Sequence, residues 1–321
     1  MDAVADAIGE RNMNVVQAMV LGIVEGVTEY LPVSSTGHLI LAAAAMGLGV
    51  QDGAAPSARE VKEATDRFAV IIQGGAILAV ALMYWPRVRS MIRGLAGVAM
   101  PSMRDHHSRH GLHLFVLLVV AFMPAAIVGV LASSSIKSSL FAPMPVIGAL
   151  MLGGVVMIVL APWHKRRLKA FGGSSTLPSH ADALLALSWK GALVIGCFQV
   201  AAMWPGTSRS MVTILGGMAI GLSPVAAAEF AFLLGLPTLG AASLKDLVEG
   251  VRESGAEAFF AALGGPLPAM VGFLTATVSA AISVKWLVTY LGRNTLALFG
   301  WWRIAVAGAF AWAIAMGWIA R

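Results

Sequence analysis

This sequence is poor in charge. Only 12% of its 321 residues are Asp, Glu, Lys or Arg, against 58% hydrophobic, and the mean hydropathy is +0.82. Soluble globular domains carry about twice that charged fraction, so a water-soluble fold is excluded and an all-α polytopic membrane protein is expected. Acids are scarcer than bases, which leaves a net charge of +6. The surplus falls in two loops between apolar runs, where membrane topology accounts for it, and nucleic acid is not expected as a partner. Cysteine is nearly absent. The single Cys197 rules out an intramolecular disulfide and, within an apolar run, reads as a small buried side chain and not a reactive thiol. The first residues, with Asp2, Asp6, Glu10 and Arg11, lack the positive flank of a secretory signal, so no cleaved targeting peptide is expected.

What is present centres on residues 22–41, an apolar stretch that nevertheless contains Glu25, Glu29 and His38, with Pro32 and Gly37 to interrupt a helix. In hydrocarbon such residues survive only where protein or a wet cavity surrounds them, so a broken, re-entrant hairpin lining a polar site is expected over 13–48. Residues 195–215 repeat the design: an apolar run, Pro205, a cluster of small hydroxyl residues with Arg209, then another apolar run. This gives a second hairpin over 185–221. Laying Pro32 on Pro205 places Ser35 on Ser208 and Gly37 on Ser210. Paired interrupted segments of this kind point to a midplane site between internal repeats.

A spanning helix needs about 20 apolar residues. Six windows qualify besides the hairpins: 66–85, 113–134, 144–162, 225–243, 265–287 and 299–320. The basic loop 86–112, with Arg87, Arg89, Arg93, Arg104 and Arg109 against Asp105, is expected inside, and so is the loop 163–182 with Lys165, Arg166, Arg167 and Lys169. Propagation puts the net acidic stretch 244–264 and the N-terminus outside. The expected architecture is one membrane domain, 1–321, of two inverted repeats, 13–162 and 183–321, each a re-entrant helix hairpin followed by three transmembrane helices.

Glu25 and Glu29 are four residues apart and share a helix face. Two carboxylates held together recruit a hard cation, Mg²⁺ or Ca²⁺. Ser34, Ser35 and Thr36 read as the start of a helix, whose free N–H groups and dipole, with Gly37, suit an anion. His38, in the first turn, is a candidate base or nucleophile, with a structural histidine as the alternative. Pro205-Gly206-Thr207-Ser208-Arg209-Ser210 repeats the anion-binding logic and adds a guanidinium suited to phosphate. Together these side chains describe metal-assisted phosphoryl transfer. Gln73 and Glu229 either serve that site or join helices. Lys190, Lys285 and Arg303 read as interfacial anchors near span ends, and Trp85, Trp301 and Trp302 as interface-belt aromatics.

The run from Glu25 to His38, Glu-Gly-Val-Thr-Glu-Tyr-Leu-Pro-Val-Ser-Ser-Thr-Gly-His, with Pro205-Gly-Thr-Ser-Arg-Ser210, resembles the undecaprenyl-diphosphatase family of bacterial membranes, also called bacitracin resistance proteins. The likeness runs from about residue 15 to the last span. It implies hydrolysis of undecaprenyl diphosphate, a polyprenyl diphosphate lipid, to the monophosphate carrier of cell-wall synthesis, at a site opening to the external face of the bacterial inner membrane. By motif, the family's acidic pair falls on Glu25 and Glu29, its hydroxyls on Ser34, Ser35 and Thr36, its histidine on His38 and its phosphate-binding arginine on Arg209. Met211 departs from the usual glycine, and Trp302-Arg303 stands where tyrosine-arginine is common. Whether the attacking group is His38, Ser35 or water stays open, as does assembly into a homo-oligomer. The rival class is a secondary transporter or lipid flippase built on inverted repeats. An intramembrane protease is disfavoured, since the chain has neither a Gly-x-Ser-Gly motif nor paired intramembrane aspartates.

Overall fold

The structure, a computed structural model, describes residues 13–48, 58–100, 105–140, 142–172, 180–257, 259 and 263–319. Asp2, Asp6, Glu10, Arg11 and Arg104 lie outside the described residues. Among those described, every regular element is helical. A first hairpin, α1 (Val15–Tyr30) and α2 (Ser35–Ala45), leads to α3 (Ala58–Met83), α4 (Trp85–Ala99), α5 (His106–Leu140), α6 (Pro143–Val159), α7 (Ala161–Gly172) and the short α8 (His180–Leu185). A second hairpin, α9 (Trp189–Val200) and α10 (Arg209–Ala219), leads to α11 (Pro224–Ser254), α12 (Pro266–Leu291) and α13 (Ala297–Ala315).

All six expected windows fall on helices, but only four of these are long and apolar enough to cross a membrane singly: α5, α11, α12 and α13. Phe68–Met83 of α3 passes only together with α4, from which it bends by 85°, and α6 is apolar but 17 residues long. The basic stretch 86–112, expected as a loop, is largely helix. Pro86, in the first turn of α4, starts a new helix after the break at Tyr84, and α4 folds back onto α5. The stretch 163–182 likewise contains most of α7, and α11 runs past its expected end to Ser254.

The two hairpins share their geometry residue by residue. Asn14 caps α1, its side chain accepting from the Gln17 N–H at 2.8 Å, and Ser188 caps α9, accepting from Gly191 at 3.2 Å. Ser34 and Ser208 precede the short helices with φ of 75° and 76°, in the left-handed region. Both short helices have 11 residues and end at glycines of positive φ, Gly47 and Gly221, followed by Leu48 and Leu222 donating back to Ala43 and Gly217 at 3.0 Å. Every pair is separated by 174 positions, whereas the prolines are 173 apart. The proline alignment is therefore wrong by one residue: Ser34 matches Ser208, and Ser35 matches Arg209. Helix capping, not proline, sets the register.

Packing follows the same exchange. The long arm α1 packs on α12, and α9 packs on α5; α3 meets α11, and α6 meets α13. Gly22 on α1 and Gly196 on α9, again 174 apart, sit where a Cβ would collide with the main chain of Gly272 and Ala121 respectively. Backbone contact replaces side-chain interdigitation there. Cys197, expected buried, is exposed beside Phe198 on the outward apolar face of α9, because the glycine side takes the helix contact.

Replacing Gly22 or Gly196 by leucine should separate these helix pairs. Overpacking of this kind costs about 1–3 kcal/mol, so each variant should show a lowered thermal midpoint and a smaller monodisperse peak in detergent size-exclusion chromatography.

Candidate active site

The site forms where the two hairpin turns meet. A non-glycine residue in the left-handed region costs about 1–3 kcal/mol and persists only where its surroundings over-determine it. At Ser34 the constraint is His38, whose Nδ1 lies 2.7 Å from the Ser34 carbonyl oxygen and donates to it. At Ser208 it is the hydroxyl, which accepts from the Met211 N–H at 3.3 Å and lies 3.1 Å from Ser210 Oγ.

Two bonds join the turns. Arg209 Nη2 donates to Glu29 Oε1 at 3.2 Å, and Ser210 Oγ donates to the Leu31 carbonyl at 2.9 Å. Arg209 is further aimed by Nη1, which donates to the Ala231 carbonyl of α11 at 2.8 Å, and by the Tyr30 ring, 5.3 Å from its guanidinium carbon. The second carboxylate oxygen of Glu29 accepts from Ser35 Oγ at 2.7 Å. Glu25, one helical turn earlier, is buried and feels the charges of both Glu29 and Arg209.

Three polar atoms of this cluster are buried without a partner: Glu25 Oε2, Arg209 Nε and the Tyr30 hydroxyl. Buried polar groups are nearly always hydrogen-bonded. An acceptor and two donors left open around one ion pair suit a ligand bearing both anionic oxygens and a cation. The donor set fits a hard divalent ion: two carboxylates from protein, with the remaining ligands drawn from phosphate and water, is the usual arrangement for Mg²⁺. Among the described residues no group of three or more His, Cys, Asp or Glu could hold a metal without such help.

A model of the family described as bacitracin resistance protein BacA matches residues 18–309. The chain belongs to that family. It is 40% identical over 295 residues to an undecaprenyl-diphosphatase of Sorangium cellulosum, covering 92% of this chain and 85% of the relative. To undecaprenyl-diphosphatase 2 of Rhodospirillum rubrum it is 37% identical over 311 residues, 95% of this chain and 98% of the relative. To an undecaprenyl-diphosphatase of Methylococcus capsulatus it is 38% identical over 288 residues, 90% of each.

In this family member the expected site residues divide. Glu25, Glu29, Ser35, Arg209, Ser208 and Ser210 are brought together, and Ser34 and His38 adjoin them. Gly206 and Thr207 contribute differently: both turn their carbonyls away, to Arg303. Gly37 packs against Leu150, and Thr36 is half-buried beside it on α2. Gln73 accepts from Ser243, tying α3 to α11, and Glu229 pairs with Arg87 at 3.1 Å, tying α11 to α4. Both therefore join helices.

Two residues assigned to the membrane interface belong to the site instead. Arg303 is fully buried and makes four hydrogen bonds. Trp302 is 53% exposed, yet its Nε1 donates to His38 Nε2 at 2.8 Å. A cation or tryptophan near a span end reads the same whether it faces headgroups or a neighbouring helix, so composition could not separate the two, and the one hint was the likeness of positions 302–303 to the family's tyrosine-arginine pair. Gln199, 174 positions after Glu25, is likewise a buried polar side chain in a hairpin arm that the sequence reading did not single out, with no partner for either amide atom. Register between the hairpins would have found it.

The Trp302 bond occupies the lone pair through which His38 would act as base or nucleophile. Trp302→Phe keeps the ring and removes the donor, so diethyl pyrocarbonate, which acylates the unprotonated imidazole nitrogen, should modify His38 several-fold faster in the variant. Peptide mass spectrometry reads the rate, and equal rates would mean the indole leaves that nitrogen open.

Proposed function

We propose that this chain hydrolyses undecaprenyl diphosphate to undecaprenyl phosphate and inorganic phosphate, returning the lipid carrier to cell-wall synthesis and so conferring resistance to bacitracin. The observation that carries this reading is the Glu29–Arg209 contact, which brings an acidic turn and a guanidinium-bearing turn to one place while leaving Glu25 Oε2 and Arg209 Nε open. Family membership and relatives named undecaprenyl-diphosphatase support the substrate. The transporter or flippase reading has no observation of its own here.

The two halves are read as inverted repeats, 13–162 and 183–321, in a multi-pass protein of the bacterial inner membrane, with the N-terminus and the site on the external side. The constant offset of 174 residues and the exchange-symmetric packing support the repeat, and the basic stretches 86–112 and 163–182 support the orientation.

In this reading the headgroup lies between the turns and the prenyl chain stays among apolar side chains. Glu25 and Glu29 would hold Mg²⁺ or Ca²⁺, which when bound neutralises diphosphate charge. Arg209, with the N–H groups of Ser208 and the start of α10, stabilises the charge that moves onto the bridging oxygen as the P–O bond breaks, while the hydroxyls of Ser208 and Ser210 are spent on holding the turn to Leu31. The geometry favours Ser35 over His38 as attacking group: Ser35 Oγ already points its proton at Glu29, while His38 Nε2 is engaged by Trp302. The Ser35 oxygen bonds the terminal phosphorus, its proton passes to Glu29, and undecaprenyl phosphate departs. Water then attacks the phosphoserine phosphorus, the proton held by Glu29 returns to Ser35 Oγ as the O–P bond breaks, and phosphate leaves with the proton of the attacking water.

Purified protein in detergent should release phosphate from farnesyl diphosphate, and EDTA should stop it. Glu29→Gln and Arg209→Ala should each lower kcat about 100-fold or more, the scale set by removing a preorganised charge-stabilising group, with an unchanged size-exclusion profile. Rapid acid quenching should leave phosphate on Ser35. Label on His38 would reassign the nucleophile, label on neither would favour direct attack by water, and no turnover in the intact protein would overturn the assignment of activity.

A further inference from the structure

Arg303 is the largest side chain among the fully buried described residues, and none of its four hydrogen bonds is to a carboxylate. A charge taken out of water without a counter-ion is expensive, and the structure keeps one only where several dipoles converge on it. Here Nε donates to the Leu150 carbonyl at 3.2 Å and Nη2 to Ala149 at 2.8 Å, both on α6. The other two bonds go to the turn that precedes α10: Nη2 to the Gly206 carbonyl at 2.7 Å and Nη1 to Thr207 at 3.0 Å. The planar fork of the guanidinium can serve four acceptors at once; an ammonium cannot.

The bond to Thr207 has a directional effect. In a trans peptide the carbonyl and the following N–H point opposite ways, so a Thr207 carbonyl drawn to Arg303 sends the Ser208 N–H away from it. Among the described residues nothing accepts that N–H. Ser208 has a φ of 76°, a strained conformation held on its C-terminal side by the cap to Met211, and Arg303 grips the residues immediately before it.

We propose that Arg303 is a positioning residue for the diphosphate-binding turn. By holding the carbonyls of Gly206 and Thr207 on its own side, it commits the Ser208 N–H and the first N–H groups of α10 to the anionic headgroup. This rests on the phosphatase reading for the ligand, but the orientation of the turn can be tested without it.

Gly153 on α6 supplies an independent handle. It belongs to neither turn, yet a Cβ there would lie 2.7 Å from the Arg303 guanidinium carbon and 2.9 Å from Nε, displacing the group. Gly153→Ala, Arg303→Met and Arg303→Lys are compared with the intact protein by hydrogen–deuterium exchange mass spectrometry in detergent, without substrate. The hydrogen-bonded amides that flank the turn, Thr207 on Trp204 and Met211 and Val212 on Ser208, should exchange about tenfold faster or more in Gly153→Ala and Arg303→Met, with Arg303→Lys between, while α12 stays unchanged. In farnesyl diphosphate hydrolysis, kcat/KM should fall about tenfold or more in the same order, and lysine should recover part of what methionine loses. If Arg303→Met fails to fold, Gly153→Ala and Arg303→Lys decide the matter. Unchanged exchange at Thr207, Met211 and Val212, or turnover equal to wild type per folded molecule, overturns the proposal. Absent turnover in the intact protein with accelerated exchange in the variants would instead overturn the phosphatase reading and leave Arg303 as the holder of the turn.

Discussion

A carboxylate and a guanidinium removed from water can stay charged only in company. The Glu29–Arg209 contact is that company, and it joins residues 180 positions apart. Such a pair adds little net stability, since desolvation offsets most of the attraction, but losing one partner strands the other at a cost of about 3–5 kcal/mol. Its value is therefore in placement. Once the two charges must meet, the ends of α1 and the start of α10 have one permitted arrangement, and Ser210 bonding the Leu31 carbonyl pins it.

Everything around the pair serves that placement. α1 and α9 approach α12 and α5 backbone to backbone through Gly22 and Gly196, which sets the depth of each turn. The strained serines before α2 and α10 are each held from outside their own turn or by a cap: His38 on Ser34, the hydroxyl of Ser208 on Met211. α13 then adds two adjacent residues, Trp302 reaching the first short helix and Arg303 the second turn. Met211 is buried and donates its N–H to Ser208, a role any residue's backbone fills.

Much of this was legible before any coordinates. Apolar windows located the helices because a bilayer demands length and hydrophobicity that few other folds share. Acids, a histidine and an arginine inside such windows marked the site because hydrocarbon otherwise excludes them. The misreadings have physical causes. The arginines of 86–112 looked like a loop because charge density cannot distinguish a loop from an amphipathic helix lying against its neighbour. The proline alignment slipped by one because proline tolerates several positions near a helix start, whereas the cap does not.

By itself, then, the sequence determined the membrane class, the apolar helices and which polar residues stand inside them, since each follows from local composition and spacing. The tertiary structure decided who meets whom: that Arg209 faces Glu29, that Gln73 and Glu229 join helices, that Cys197 faces outward and Arg303 inward. Those outcomes depend on which face of each helix turns to which neighbour. That choice is made by close packing at a few glycines and by the pairing of buried charges, quantities that no single stretch of chain contains.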